Sequence, residues 1–229
     1  MKLIVIEGLD GAGKSTQISL LKEWFADRKL QCRYIHFPRT ETPYFGELIA
    51  RFLRGEFGDI KHVDPYLVAM IYAGDRKDAA PMIETWLEEK YYVIIDRYTY
   101  SNIAYQCAKL TTPAEKKRLM DWILNLEFEH FGIPRPDINI FLDVPFMFTE
   151  EKLKNARQGD DRSYLNGNID IHESSLDFQK RVRDVYSEVA AEDGNLQVIN
   201  CFNSDNEILT PDEIFHRILD TLKEKSILR

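Results

Sequence analysis

Short apolar runs rich in β-branched residues recur along the chain and alternate with segments of helical periodicity. Several of these runs are apolar throughout, which is typical of strands buried on both faces of a parallel sheet. The helical segments carry apolar residues at spacings of three and four, so each has one face for a core. The runs predict strands at Leu3–Ile6, Arg33–Phe37, Tyr91–Ile95, Ile138–Val144 and Leu196–Cys201.

The helical stripes and the helix starts indicate the same architecture. Helices are predicted to begin after Asp64, Thr112 and Thr210, each a capping residue followed by proline. Strands that alternate with helices predict an α/β fold, a five-stranded parallel sheet with helices on both faces, in one domain over residues 1–229. The apolar stripes are Ile18, Leu21 and Phe25; Phe45, Leu48, Ile49 and Phe52; and Phe178, Val182, Val185 and Val189.

Residues 8–16 read GLDGAGKST between the first predicted strand and the first helix. This fits the phosphate-binding pattern GxxxxGK[ST] in its usual strand–turn–helix setting and predicts a P-loop NTPase-type fold. Gly8 and Gly13 allow the turn to bring backbone N–H groups close to a phosphate. Lys14 adds a positive charge, and Ser15 offers a hydroxyl to magnesium. The predicted ATP-binding residues are Gly8, Asp10, Gly11, Ala12, Gly13, Lys14, Ser15 and Thr16.

Composition and charge limit the classes of binding partner and the cellular compartment that the sequence favours. The 229 residues are 44% hydrophobic and 30% charged, as in an ordinary soluble protein. A net charge of −8 argues against DNA or RNA as the main partner, and no apolar run approaches the roughly 18 residues of a membrane span. Cys32, Cys107 and Cys201 are widely spaced and odd in number, which argues against a disulfide framework or a zinc site and favours a cytoplasmic protein.

Asp96 and Arg97 directly follow the third predicted strand. An aspartate at that strand end would face the phosphate loop and could hold the magnesium shell. A fixed arginine beside it suggests that a second phosphate is clamped, although a buried ion pair would have the same sequence.

Further polar groups are predicted to reach the same edge of the sheet. Arg39 follows Pro38 after the second strand and would project from the site's rim, unless it is a simple surface arginine. Tyr72 and Arg76 share a helix face and could stack on a base and bind its edge, or be a core tyrosine and a surface arginine. A polar pocket wall, or a partly exposed helix face, is predicted for Asn102, Tyr105 and Gln106.

These residues lie in motifs that resemble those of thymidylate kinases. GLDGAGKST, FPRT at 37–40, YAGDR at 72–76 and DRYTYSNIAYQ at 96–106 occur in that family's order and spacing. The resemblance is specific up to about residue 106 and looser beyond it. It implies transfer of the ATP γ-phosphoryl group to dTMP, giving dTDP and ADP for dTTP synthesis, with Mg²⁺ as cofactor and a homodimer as the assembly.

The resemblance also implies a role for each matching residue. Lys14 and Arg97 would act in catalysis, and Asp10 would contact the acceptor's 3′-hydroxyl or the adjoining phosphate region. The acceptor phosphate would be held by Arg39 and Arg97. For the nucleoside, Tyr72 would stack on thymine, Arg76 and Asn102 would bind its edge, Tyr105 would pack under the deoxyribose, and Gln106 would line the pocket.

The segment 147–173 carries basic residues among glycines and asparagines, which favours a mobile lid, although a solvated surface would have the same composition. Some thymidylate kinases place an arginine after the loop acid, where this chain has Gly11. The family's alternative is a basic lid residue, for which Arg157 and Arg162 are the candidates. With Ser15 and Asp96 as predicted metal ligands, Asp170 and Glu173 resemble the family's acidic pair.

Two other classes of protein remain as alternatives. A kinase of the same scaffold acting on a different base would share most of these motifs, and no contact for the 5-methyl group of thymine is identified. A GTP-dependent switch would need a guanine-reading NKxD segment, which the sequence lacks.

Overall fold

A computed structural model describes residues 2–60, 62–149, 164–165, 170–172 and 175–228 of the chain. Its strands are β1 (Leu3–Glu7), β2 (Cys32–His36), β3 (Tyr92–Asp96), β4 (Ile138–Asp143) and β5 (Leu196–Asn200). They form one sheet in the order β2-β3-β1-β4-β5, and every neighbouring pair is parallel. Each strand lies within one residue of its predicted bounds, which confirms the predicted five-stranded parallel sheet.

The burial of each strand follows its place in the sheet. All residues of β1 and β4 are buried, and so is β3 apart from its first residue, because these strands have neighbours on both sides. β2 and β5 are the edge strands and expose several side chains. The runs that are apolar throughout are therefore the central strands.

Helices pack on both faces of the sheet. Leu3 and Val5 of β1 belong to one apolar cluster with Ile83, whereas Ile4 and Ile6 belong to another with the predicted stripe of the first helix. This is the predicted three-layer α/β architecture. The helices are α1 (Lys14–Asp27), α2 (Phe45–Leu53), α3 (Pro65–Glu88), α4 (Thr99–Cys107), α5 (Pro113–Leu124), α6 (Leu176–Glu192) and α7 (Pro211–Glu224).

The three predicted helix starts are confirmed. The Asp64 carboxylate accepts hydrogen bonds from backbone amides in the first turn of α3. Thr112 and Thr210 form complete capping boxes at α5 and α7, with proline at the start of each helix. α5 continues directly into a π-helix, Asn125–His130, which the sequence pattern did not predict.

Two glycines allow α2 to pack closely against its neighbours. A Cβ at Gly74 of α3 would lie 2.2 Å from the ring of Phe45, and a Cβ at Gly46 would lie 2.2 Å from the backbone oxygen of Arg39. Neither distance is possible for a real side chain, so only glycine fits at both positions. The close packing seats α2 directly behind the segment that carries Arg39.

In the described part of the chain, no helix combines the length and the apolar character needed to cross a membrane. Cys32, Cys107 and Cys201 are free thiols, and burial raises the pKa of Cys107 and of Cys201 to about 12. Most of segment 147–173 lies outside the described residues, including Arg157, Arg162 and Glu173. The predicted lid therefore stays a prediction.

Candidate active site

A cavity of about 730 Å³ opens at the carboxyl ends of β1, β2 and β3. This is where ligands bind in open parallel sheets. The side chains predicted from separate motifs meet in its wall, although up to 160 residues separate them along the chain. The predicted site residues in the wall are Asp10, Ser15, Arg39, Tyr72, Arg76, Asp96, Arg97, Asn102, Tyr105, Gln106 and Asp170.

The phosphate loop runs from the end of β1 into the first turn of α1. Gly13 caps α1 with φ 81°, and Gly11 has φ 82°, values at which a side chain would be strained. The Lys14 ammonium is buried and donates to the carbonyls of Leu9, at 3.0 Å, and of Gly8, at 3.4 Å. The loop residues Gly8, Gly11, Ala12, Gly13, Lys14 and Thr16 thus flank the cavity at the point where Asp10 and Ser15 enter its wall.

Asp96 ends β3 and is buried next to three positive or protonatable groups. Burial alone would raise the pKa of its carboxyl, but Lys14, His36 and Arg97 outweigh burial and hold the pKa below its usual value. Oδ2 lies 3.2 Å from His36 Nδ1. Oδ1 is buried and has no hydrogen-bond partner among the described residues. An ionised carboxylate with an unpaired oxygen is therefore available beside the loop.

Arg97 holds its guanidinium in the cavity from a backbone with φ 66°, an unfavourable conformation for a non-glycine residue. Nη2 donates to Asp10 at 2.8 Å and to the Tyr105 hydroxyl at 3.3 Å, and Nη1 donates to the Ser101 hydroxyl at 3.2 Å. Burial disfavours the charge, but Tyr105 and Asp10 outweigh it and raise the pKa of Arg97 further above its usual value. Arg97 is thus a permanent cation that bridges the phosphate loop and α4.

Glu7 stabilises the turn that presents Arg97, a role that the sequence analysis missed. Its fully buried carboxylate accepts from the backbone amides of Tyr98, at 2.9 Å, and Ser101, at 3.2 Å. It also accepts from the Ser101 hydroxyl and from the Tyr186 hydroxyl. Burial raises its pKa despite these hydrogen bonds. A charged residue in an otherwise apolar strand must have partners, and that was the available signal.

A second buried carboxylate, Glu127 of the π-helix, lies behind the predicted base pocket. Arg76 donates to it twice, from Nε at 2.7 Å and from Nη2 at 2.6 Å. Asn102 donates to it from Nδ2 at 2.9 Å, and the Thr99 hydroxyl donates at 2.8 Å. Arg76 is therefore a buried side chain rather than a surface one. The sequence does not predict this role of Glu127, because nothing in its own segment distinguishes it.

Arg39 is anchored by Asp75, the acidic residue of the YAGDR motif. Nε donates to Asp75 Oδ1 at 2.8 Å, Nη2 donates to the Asp75 carbonyl at 2.7 Å, and the Arg39 amide donates to Oδ2 at 2.9 Å. These bonds join the segment after β2 to α3. They hold the guanidinium of Arg39 at the cavity wall.

Another part of the cavity wall combines aromatic rings and a carboxylate. The ring of Tyr105 lies 4.8 Å from that of His172, and its hydroxyl donates to Asp10 at 2.8 Å. Burial lowers the pKa of His172 to about 3. Asp170 accepts from the Tyr164 hydroxyl at 2.9 Å and from the His172 amide at 2.8 Å. Tyr72 lies near Asp170, Tyr164 and Tyr105, and burial raises its pKa.

Comparison with known proteins gives one consistent result. The sequence model of the thymidylate kinase family matches residues 6–210. A thymidylate kinase of Mycobacterium tuberculosis is 33% identical over 190 residues, covering 83% of this chain and 86% of that protein. A probable thymidylate kinase of Pyrococcus abyssi is 30% identical over 207 residues, covering 90% of each chain. The solved structure of thymidylate kinase from Candida albicans matches with a TM-score of 0.71 and 27% identity, covering 98% of this chain and 92% of that one.

Proposed function

Because the chain belongs to the thymidylate kinase family, we propose that its cavity is the place where the γ-phosphoryl group of ATP passes to dTMP. The reaction of the family is the ATP-dependent phosphorylation of dTMP to dTDP, and the chain is a phosphotransferase. One observation carries the assignment of the site. The phosphate loop, the Asp96–Arg97 turn and the aromatic and polar residues predicted for the base all border one cavity.

The donor side is built from the loop and the end of β3. The loop amides and Lys14 bind the phosphates of ATP, with Gly8, Asp10, Gly11, Ala12, Gly13, Ser15 and Thr16 completing the loop. Phosphoryl transfer needs two anions aligned and their charge reduced rather than covalent help from the protein. Lys14 supplies part of that charge.

The residues at the loop fit a magnesium ion. Ser15 Oγ and the unpaired Oδ1 of Asp96 are hard oxygen ligands of the kind that Mg²⁺ takes, and both residues border the cavity. No group of three or more His, Cys, Asp or Glu side chains suited to a metal is found in the described ranges. Mg²⁺ usually binds through one or two protein ligands together with substrate phosphates and water. When bound, it would neutralise phosphate charge; Asp170 and, outside the described residues, Glu173 would complete its surroundings.

The acceptor side is built from α3, α4 and the two anchored arginines. Arg39 and Arg97 bind the phosphate of dTMP, and Asp10 lies where the 3′-hydroxyl or adjoining phosphate binds. Tyr72 stacks on thymine, with Gln106 in the pocket wall and Arg76 and Asn102 at the base edge. Tyr105 packs under the deoxyribose, where a 2′-hydroxyl would be crowded.

Arg157 and Arg162 of the segment 147–173 complete the proposed mechanism. A basic residue delivered by a closing lid would stabilise the charge that spreads over the transferred group, and closure would exclude water. Arg157→Ala and Arg162→Ala should lower turnover more than nucleotide binding. If neither substitution lowers turnover, the lid has no catalytic arginine at these positions.

The proposed assembly is a homodimer in the cytoplasm. Leu67, Met70 and Met82 are large apolar side chains exposed on α3, as at a surface that a second copy covers. Free thiols agree with a reducing compartment. Sedimentation of the wild-type protein and of Leu67→Glu tests this assembly. We expect the wild-type protein to sediment as a dimer and Leu67→Glu to shift toward the monomer; a monomeric wild-type protein would contradict the proposed dimer.

Measuring ADP formation from ATP and Mg²⁺ with each acceptor in turn tests the function. The panel contains dTMP, dUMP, dCMP, dGMP and UMP, together with a reaction that has no acceptor. We expect dTMP to be the best substrate and ATP hydrolysis without acceptor to be slow. A better purine or cytosine acceptor would show that the cavity serves another nucleotide, and acceptor-independent turnover would remove the kinase assignment.

A further inference from the structure

Glu127 is a fully buried carboxylate that organises the two side chains proposed to bind the base edge. Arg76 occupies both of its oxygens, and Asn102 Nδ2 donates to Oε1 at 2.9 Å. Arg76 and Asn102 are themselves 2% and 3% exposed, so neither can exchange this partner for water. Glu127 itself does not border the cavity. Any effect it has on a ligand therefore passes through Arg76 and Asn102.

The hydrogen bonds of Asn102 determine which way its amide faces. Nδ2 donates to the Glu127 carboxylate and to the Ala69 carbonyl, at 3.0 Å. Both of these groups can only accept, so the NH₂ group must lie on their side. Oδ1 is then on the opposite side of the amide, and it is buried without a hydrogen-bond partner among the described residues. Asn102 borders the cavity, so it offers an unsatisfied acceptor to a ligand.

Arg76 is fixed in a complementary way. Nε and one N–H of Nη2 are committed to Glu127, which leaves Nη1 and the second N–H of Nη2 as donors not committed to that carboxylate. Arg76 also borders the cavity. At this wall Arg76 thus has only donors to offer, and Asn102 offers an acceptor. Glu127 orients Arg76 as a donor and Asn102 as an acceptor toward a ligand.

We propose that Glu127 is a specificity-determining positioning residue that selects pyrimidines with a 4-oxo group and an N3–H over those with a 4-amino group. Thymine and uracil present an acceptor at O4 and a donor at N3, which match Arg76 and Asn102. Cytosine presents a donor at the 4-position and an acceptor at N3, so both contacts become repulsive. A mismatch of this kind leaves buried polar groups unpaired. The inference rests on the proposed function, because it requires the base to bind in this cavity.

The wild-type protein gives the first test, since dUMP and dCMP have nearly the same shape. We expect kcat/KM to be at least about tenfold higher for dUMP than for dCMP. Equal values, with dTMP still a good substrate, would overturn the inference and leave the proposed function intact. Failure to phosphorylate dTMP while another nucleotide is phosphorylated would overturn the proposed function instead.

The variant Glu127→Gln tests the residue itself. A glutamine can turn its NH₂ group toward Asn102 and loses the charge that holds Arg76, so the donor and acceptor are no longer fixed. We expect the dUMP/dCMP ratio of kcat/KM to fall by about tenfold or more. Unspecific structural damage would instead lower kcat/KM for dUMP and for dCMP by the same factor and leave their ratio unchanged. That outcome would contradict the proposal.

Thr99→Val is the matched control, because it removes one hydrogen bond to the same carboxylate and leaves Arg76 and Asn102 in place. Its ratio should stay within about twofold of wild type; a loss as large as that of Glu127→Gln would contradict the proposal. If Glu127→Gln does not fold, Glu127→Asp replaces it. The aspartate keeps the negative charge for Arg76, but its shorter side chain cannot also contact Asn102. We therefore expect the dUMP/dCMP ratio of kcat/KM to fall by an intermediate amount. An unchanged ratio would count against the role of Glu127.

Discussion

Glu7 and Glu127 are both fully buried carboxylates beside the cavity, but they bind different kinds of group. Glu7 accepts from two backbone amides and two hydroxyls, all of them neutral donors. Glu127 accepts from a guanidinium, an amide side chain and a hydroxyl. The first carboxylate therefore fixes the backbone turn that presents Arg97, and the second fixes the side chains proposed for the base. Glu7 needs to be an acceptor, whereas Glu127 also needs to be charged.

The largest effect on turnover is expected from substitution of Arg97, the residue whose backbone turn Glu7 stabilises. Arg97→Ala removes the cation that joins Asp10 to α4 and is proposed to hold the acceptor phosphate. We expect kcat to fall by about 10³ or more with every acceptor, because transition-state charge is left unbalanced. Lys14→Ala should have a similar effect. Arg33→Ala, an exposed arginine of β2, is the control and should keep wild-type turnover. Near-normal activity of Arg97→Ala with dTMP would show that the site is wrongly assigned.

Glu7 itself should give a smaller and more informative loss. Glu7→Leu leaves the buried amides of Tyr98 and Ser101 without an acceptor, and we expect kcat to fall by about 10- to 100-fold. Glu7→Gln keeps an acceptor for both amides, so it should retain turnover within about fivefold. Steady-state kinetics of the two variants checks this. Equal losses in both would mean that the negative charge of Glu7 matters, and the contrast with Glu127 would disappear.

On the Glu127 side, the charged partner can be changed instead. Arg76→Lys keeps the charge but cannot make the two-point contact with the carboxylate. We expect the KM for dTMP to rise by about tenfold with little change in kcat, because binding rather than chemistry is affected. Arg51→Lys, on the exposed side of α2, should leave both constants unchanged. A fall in kcat at unchanged KM would assign Arg76 to the chemical step.

The smallest effect is on stability and concerns Lys109. In the described part of the chain, this buried lysine lacks the hydrogen-bond partners that Glu7 and Glu127 have. Its Nζ has no hydrogen-bond partner among the described residues, and burial lowers its pKa from 10.5 to about 7. Because the unfolded chain binds this proton more tightly, stability should fall as the pH drops from about 10.5 to about 7 and then stay level.

Lys109→Met should abolish that pH dependence and raise the melting temperature at pH 7 by about 2–6 °C. Lys117→Met, a substitution at an exposed lysine, should show the same dependence of stability on pH as the wild-type protein. Thermal unfolding between pH 6 and pH 10 measures both variants. A profile that Lys109→Met does not alter would show that this lysine is solvated.

The fold was predictable because each of its signals is local. The central strands are buried on both faces and therefore read as unbroken apolar runs, and the capping boxes at Thr112 and Thr210 mark helix starts within four residues. The phosphate loop is equally local, since its residues are consecutive. The π-helix after α5 was not predicted, because a change of hydrogen-bond register leaves no periodicity of its own.

The support behind the site was not predictable in the same way. The predicted groups do meet in the cavity, but Asp75, Glu7 and Glu127 act through partners that lie 36, 94 and 51 residues away. Such pairs are set by the tertiary fold and not by local spacing. For Glu7, its charge within an apolar strand was a usable warning. The roles of Arg157, Arg162 and Glu173 stay predictions, since these residues lie outside the described ranges.

The contact between Phe45 and Gly74 makes the residue choices on α2 and α3 depend on each other. Gly74 lies between Tyr72 and Arg76 on α3, and the ring of Phe45 occupies the space that any side chain at position 74 would need. The ring of Phe45 on α2 therefore packs directly against the backbone of α3. Position 74 can be enlarged only together with a reduction at position 45. A variant library for this helix pair therefore has to vary positions 45 and 74 together.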